Sequence, residues 1–131
     1  MPTEREEAIA TMIVHAAFKV HTELGPCLLE KIYEACLMHE LVKAGLKVQR
    51  QVDVPIVYDG LSFQEGLRID LLIEDCIIIE IKAVDEVNKL WEAQILSQLK
   101  LTNKNLGFLI NFNVPLIKKG IRRYIRKDER A

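Results

Sequence analysis

Asp70, Glu80 and Lys82 stand inside RIDLLIEDCIIIEIKA, a stretch otherwise made largely of residues that suit buried strands. In CIIIEIK, five of the first six residues are apolar, the pattern of a strand covered on both faces, where a charge is expensive. Glu80 and Lys82 are two apart, so they share a face at a spacing of about 6.6 Å. A three-residue loop at Glu74, Asp75 and Cys76 would set Asp70 opposite Glu80, with Cβ atoms roughly 5 Å apart. Two carboxylates that close repel unless a proton or a cation stands between them. A hard divalent ion such as Mg²⁺ takes carboxylate oxygens, and Lys82 beside it could stabilise an attacking hydroxide or the charge that develops on a phosphoryl group.

Two more polar residues are aimed the same way. Glu30 falls on a helical stripe with Tyr33, Leu37, Leu41 and Ala44, and Gln94 continues the stripe of Val87, Leu90 and Trp91, with Gln98 one turn on. Blander readings exist for each residue. Glu80 and Lys82 could form a structural ion pair, Asp70 could pair with Arg68, Glu30 could complement a helix dipole, and Gln94 could cap a strand edge. Each explains one residue, and together they require four coincidences.

The elements that must position these groups are readable in order. Thr3 and Glu6 have the capping-box spacing, and Ile9, Ile13, Ala16, Ala17, Val20 and Leu24 recur at helical intervals. Gly25 and Pro26 end that helix and open a second, which runs to about Ala44 and is closed by Gly45. From Lys47 the pattern alternates through Val48, Val52 and Val54 to IVY and a turn at Asp59 and Gly60, which predicts a strand or a bent pair of strands. A hairpin over residues 66–73 and 76–83 follows, then a helix over 87–101 and a short buried strand over 106–111. The segment after Pro115 could be strand or helix. The expected class is α/β, a mixed central sheet flanked by helices in the order αα-βββ-α-β.

A chain of 131 residues, half hydrophobic and 28% charged, has the size and composition of one folded domain spanning 1–131. Three cysteines, Cys27, Cys36 and Cys76, show no C-x-x-C spacing and read as reduced core residues. With no apolar run of about 20 residues and an acidic N-terminus, the expected location is cytoplasmic, with no membrane partner. His15, His21 and His39 are placed singly on helices and read as surface or core residues. A net charge of −1 gives no global attraction to nucleic acid, but a basic tail over 118–131 gathers Lys118, Lys119, Arg122, Arg123, Arg126, Lys127 and Arg130. Trp91, Tyr33, Tyr58 and Tyr124 are the stacking candidates beyond the phenylalanines.

Asp70 followed by Glu80-Ile81-Lys82 resembles the signature of the PD-(D/E)xK nuclease superfamily, and the order of elements resembles its restriction-endonuclease-like core. Within it, LGPCLLEKIYEACL, RIDLLIED, IIIEIKAV, WEAQILSQLKLT and FLINFNVPL are similar to the GxxExxY family over about residues 20–123. Cys27 stands where that pattern has glycine, and Gln98 where RecB-like nucleases have tyrosine. The resemblance implies metal-dependent phosphodiester hydrolysis, with Asp70, Glu80 and the Ile81 carbonyl holding Mg²⁺ or Mn²⁺. It implies Lys82 orienting the attacking water, Glu30 serving a second metal or an ordered water, and Gln94 positioning Lys82 or the substrate. DNA would be held by Lys118, Lys119, Arg122, Arg123 and Arg126, and a homodimer would cut both strands. The rival readings are a non-catalytic or partner-dependent binding module that keeps the nuclease fold, and a metal-stabilised structural dimer.

Overall fold

A computed structural model describes residues 1–86 and 88–127. Val87 of the expected stripe and Arg130 of the expected tail lie outside them. The elements are α1 (Glu4–Leu24), α2 (Glu30–Lys43), β1 (Val48–Tyr58), β2 (Leu61–Ile73), β3 (Ile77–Lys82), α3 (Lys89–Thr102), β4 (Leu106–Asn111) and β5 (Ile121–Ile125), with a 3-10 turn at Ile117–Lys119. The expected order αα-βββ-α-β is present, followed by one further strand.

The strands lie side by side in chain order, all neighbours antiparallel except β3 and β4. That parallel pair is joined by α3, the crossover such a connection requires. On one face α1 and α2 pack Ile9, Ile13, Ala17, Tyr33, Leu37 and Leu41 against Leu71, Ile73, Ile77, Ile79, Ile81 and Phe108. On the other, Leu99 of α3 packs on Ile69, Leu72 and Ile78, with Val52, Val54, Leu67 and Tyr124 around them.

These memberships expose a break in strand alternation. Ile69 and Leu71, two apart, face opposite layers, and so do Val48 and Val52, four apart, where an even spacing should keep one face. Both breaks fall at one level, because Arg50 pairs with Leu71 and Val52 with Ile69, leaving Gln51 beside Asp70. Gln51 has φ 53°. A left-handed residue inside a strand turns the chain so that its flanking side chains no longer alternate. Asp70 therefore sits where the hairpin changes the layer it serves, a feature periodicity alone does not reveal.

Several expectations change in detail. The capping box at Thr3 is formed. Pro26 does not open the second helix; α2 begins at Glu30, and the link is held by Tyr33, whose hydroxyl donates to the Gly25 carbonyl at 2.7 Å and accepts from the Leu28 N–H at 3.0 Å. Tyr33 is fully buried and stacks on Phe112 with centroids 4.6 Å apart, so it is no platform for a base. His21 is a core residue bonded to the Val114 carbonyl at 2.8 Å. All three cysteines are free, and Cys27 is exposed rather than in the core.

Cys27 has φ 76° in that link, where its N–H donates to Asn113 Oδ1 at 3.0 Å. The left-handed region is open to glycine and costly to a residue with a Cβ. Cys27→Gly is expected to stabilise the chain by roughly 0.5–1 kcal/mol, the local strain less the added freedom of the unfolded chain. Urea unfolding reads this as a higher midpoint at unchanged slope; a lower midpoint contradicts it.

Candidate functional site

The hairpin loop consists of Glu74, Asp75 and Cys76, the first two with φ 50° and 59°. Leu71 pairs with Ile79 and Ile73 with Ile77, so the next level up sets Asp70 against Glu80, as the parity of the loop requires. There the ladder gives way to a side chain: Asp70 Oδ2 accepts the Ile81 N–H at 2.8 Å. N–H and C=O of one strand residue leave toward the same neighbour, so the Ile81 carbonyl also faces the Asp70 side.

Glu80 is only 3% exposed. Burial is the main cause that pushes its carboxyl up to about 9, and the hydrogen-bonded, negatively charged Asp70 adds to it; Gln98 and Lys82 act the other way. Gln98 donates through Nε2 to Glu80 Oε1 and to the Arg68 carbonyl at 3.4 Å, while its buried Oε1 has no partner. No ion pair joins Glu80 to Lys82. The ammonium of Lys82 instead lies 5.0 Å from the centroid of the Trp91 ring, a cation–π contact that anchors it at the mouth of the site. Arg68 does not pair with Asp70 either, since it bonds Asp53 at 3.2 Å.

Glu30, first residue of α2, faces this pair from the helix layer. Partial burial, and after it the charge of Asp70, raise its carboxyl, while Lys82 lowers it. Among the described residues no group of three His, Cys, Asp or Glu side chains is gathered closely enough to hold a metal, so Glu30 is a neighbour of the carboxyl pair and not a third member. Gln94 is exposed, against the expected inward orientation, because α3 buries Ile95, Gln98 and Leu99. The glutamine that reaches the acids is Gln98.

Three residues escaped the sequence reading. Buried Glu34, one turn after Glu30, accepts from Arg50 Nε at 2.8 Å and from Gln51 Nε2 at 2.6 Å, and Gln51 Nε2 also faces Asp70 Oδ1 at 3.4 Å. The i to i+4 spacing of Glu30 and Glu34 was the available signal. The loops around the site are tied by LINFN: Asn111 bonds the N–H and C=O of Val84 at 3.1 and 2.9 Å, and Asn113 bonds Asp85 at 2.7 Å as well as Cys27.

The expected basic tail is not a tail up to Ile125, and its cations are dispersed. Lys118 and Lys119 lie in the 3-10 turn beyond the Asn111 end of β4, the end that adjoins Lys82. Arg123 faces α1 and is paired bidentately with Glu7 at 2.7 and 2.5 Å. Arg126 is at the opposite end of β4, bonded to Asn103 and, at 3.1 Å, to Asn105. Exposed Arg122 lies level with Glu80, two strands away through Leu109.

A divalent cation fits the donors present. Asp70, Glu80 and the Ile81 carbonyl are oxygen donors, the set that hard cations prefer, and the crowding of the two carboxyl groups is relieved by a positive charge. Without a cation the crowding must show as pH-dependent stability. Unfolded Glu80 ionises near 4.5 and folded Glu80 near about 9, so between these values the folded chain holds the extra proton and stability falls as pH rises. Glu80→Gln supplies an acceptor for Gln98 and a donor for Asp70. The metal-free variant is expected to melt higher than wild type at about pH 8 and to lose most of the slope, read by thermal unfolding across that range. An unchanged slope contradicts this.

A family model described as PD-(D/E)XK nuclease superfamily matches residues 7–124. No curated protein and no solved structure matches the chain. The three-layer α/β/α architecture with its five-stranded mixed sheet is consistent with the restriction-endonuclease-like core. With that match across most of its length, the chain belongs to the PD-(D/E)XK nuclease superfamily.

Proposed function

We propose that this protein is a metal-dependent nuclease that hydrolyses phosphodiester bonds of DNA, a cytoplasmic single-domain member of the GxxExxY family. The observation that carries the reading is the Asp70–Glu80 carboxyl pair with Lys82 two residues on, held over Trp91. Asp70, Glu80 and the Ile81 carbonyl would hold Mg²⁺ or Mn²⁺. When bound, the cation supplies Lewis acidity and lowers the pKa of water.

The residues of the chain do the rest. Lys82 orients the attacking water and offsets the negative charge that grows on the phosphoryl oxygens. Gln98 fixes the Glu80 rotamer. Glu30 serves a second cation or an ordered water from the α2 side, and Gln94, on the exposed face of α3, contacts the substrate backbone. Lys118, Lys119 and Arg122 are the phosphate contacts with free surface, whereas Arg123 and Arg126 already serve the fold. A second copy of the chain would allow both strands of a duplex to be cut.

One observation favours a partner-dependent variant of this reading. With Arg123 and Arg126 occupied and a net charge of −1, the chain has few cations for holding a polyanion unaided. Labelled single-stranded, duplex and branched DNA, and RNA, incubated with Mn²⁺, separate the cases. Wild type should cut at least one DNA form, and a folded Lys82→Ala variant should be slower by about 10²–10³-fold. Equal cutting by both removes Lys82 from the reaction. No cutting by wild type, while Mn²⁺ still binds, supports the partner-dependent form.

A further inference from the structure

Gln51 combines three features. Its backbone has φ 53° inside a strand, its amide lies between two acids, and it stands beside Asp70 at the level where the hairpin changes layers. A residue with a Cβ persists in the left-handed region only where its surroundings hold it there, and such positions cluster at functional sites. Here the holding group is identifiable. Glu34, 6% exposed, accepts one N–H of the Gln51 amide at 2.6 Å, and the same amide nitrogen faces Asp70 Oδ1 at 3.4 Å. Reversing the amide would aim its carbonyl at two carboxylates, so its direction is set. Arg50, bonded to the other Glu34 oxygen at 2.8 Å, balances the buried charge.

We propose that Gln51 is a positioning residue: anchored by Glu34, it fixes the Asp70 carboxylate in the orientation that binds the divalent cation. This rests on the metal site described under the proposed function. Asp70 is then held from two directions, by the Ile81 N–H on Oδ2 and by the Gln51 amide at Oδ1, and neither contact neutralises it. Its remaining lone pairs stay available. Loss of such an outer contact to a ligating carboxylate typically weakens metal affinity by about 10–100-fold.

The left-handed backbone allows a test that separates positioning from folding. Gln51→Asn and Gln51→Gly both suit φ 53°, but neither reaches both Glu34 and Asp70. Calorimetric titration of the metal-free full chain with Mn²⁺ alone, paired with thermal unfolding, compares these variants with wild type and Asp70→Asn. The proposal expects both Gln51 variants to stay folded at the titration temperature without metal, because relief of the left-handed backbone offsets part of the lost hydrogen bond to buried Glu34, and to bind Mn²⁺ at least about 10-fold more weakly. Wild-type affinity in the folded variants overturns it, as does failure of both variants to fold at the titration temperature, which would assign Gln51 to the fold. If wild type binds no Mn²⁺, or Asp70→Asn binds it equally, the metal site itself fails and the proposal with it.

Discussion

Two carboxyl groups, Asp70 and Glu80, are held side by side at the point where β2 and β3 part, one of them almost wholly buried. Left alone, this is an unfavourable arrangement: desolvation and the neighbouring charge of Asp70 both oppose ionisation of Glu80. The surrounding structure supplies what keeps it together. Gln98 reaches Glu80 from α3, the Ile81 N–H and the Gln51 amide reach Asp70, and Lys82 stands near enough for its charge to favour the ionised Glu80. A fold that spends so many contacts on a repulsive pair is organised around what the pair can hold.

The three layers meet at that pair. α2 brings Glu30 and Glu34 from one side of the sheet, α3 brings Trp91 and Gln98 from the other, and the LINFN segment ties down the links before α2 and before α3. The face change at Gln51 and Asp70 is what lets one hairpin serve both layers. The superfamily match covers the same elements, from within α1 to within β5.

Much of this was legible in the sequence, and the failures have physical causes. Strand periodicity of two makes hairpin parity strict, so the Asp70–Glu80 level follows from the length of one loop, and the apolar run LGFLIN marks β4 to the residue. On α3, Leu90, Trp91, Ala93, Ile95, Leu96, Leu99 and Leu101 leave hardly a polar side, so helical spacing does not separate Gln94 from Gln98, and it is Gln98 that makes the contact. Pro26 suits a first helical turn, but Tyr33 makes two hydrogen bonds to a bent link in which Cys27 is left-handed. In IRRYI, arginine on both faces disguises a strand in which the Arg123 guanidinium finds its partner, Glu7, far away in the chain. The Glu34–Gln51–Asp70 contacts were beyond reach, because they depend on a left-handed backbone that no glycine announced.

The most direct test of the central claim is the anomalous difference density of crystals soaked in Mn²⁺. The account predicts one peak between the carboxyl groups of Asp70 and Glu80, within ligand distance of the Ile81 carbonyl, and its absence in Asp70→Asn. Mn²⁺ bound elsewhere, with nothing between those two residues, would contradict it.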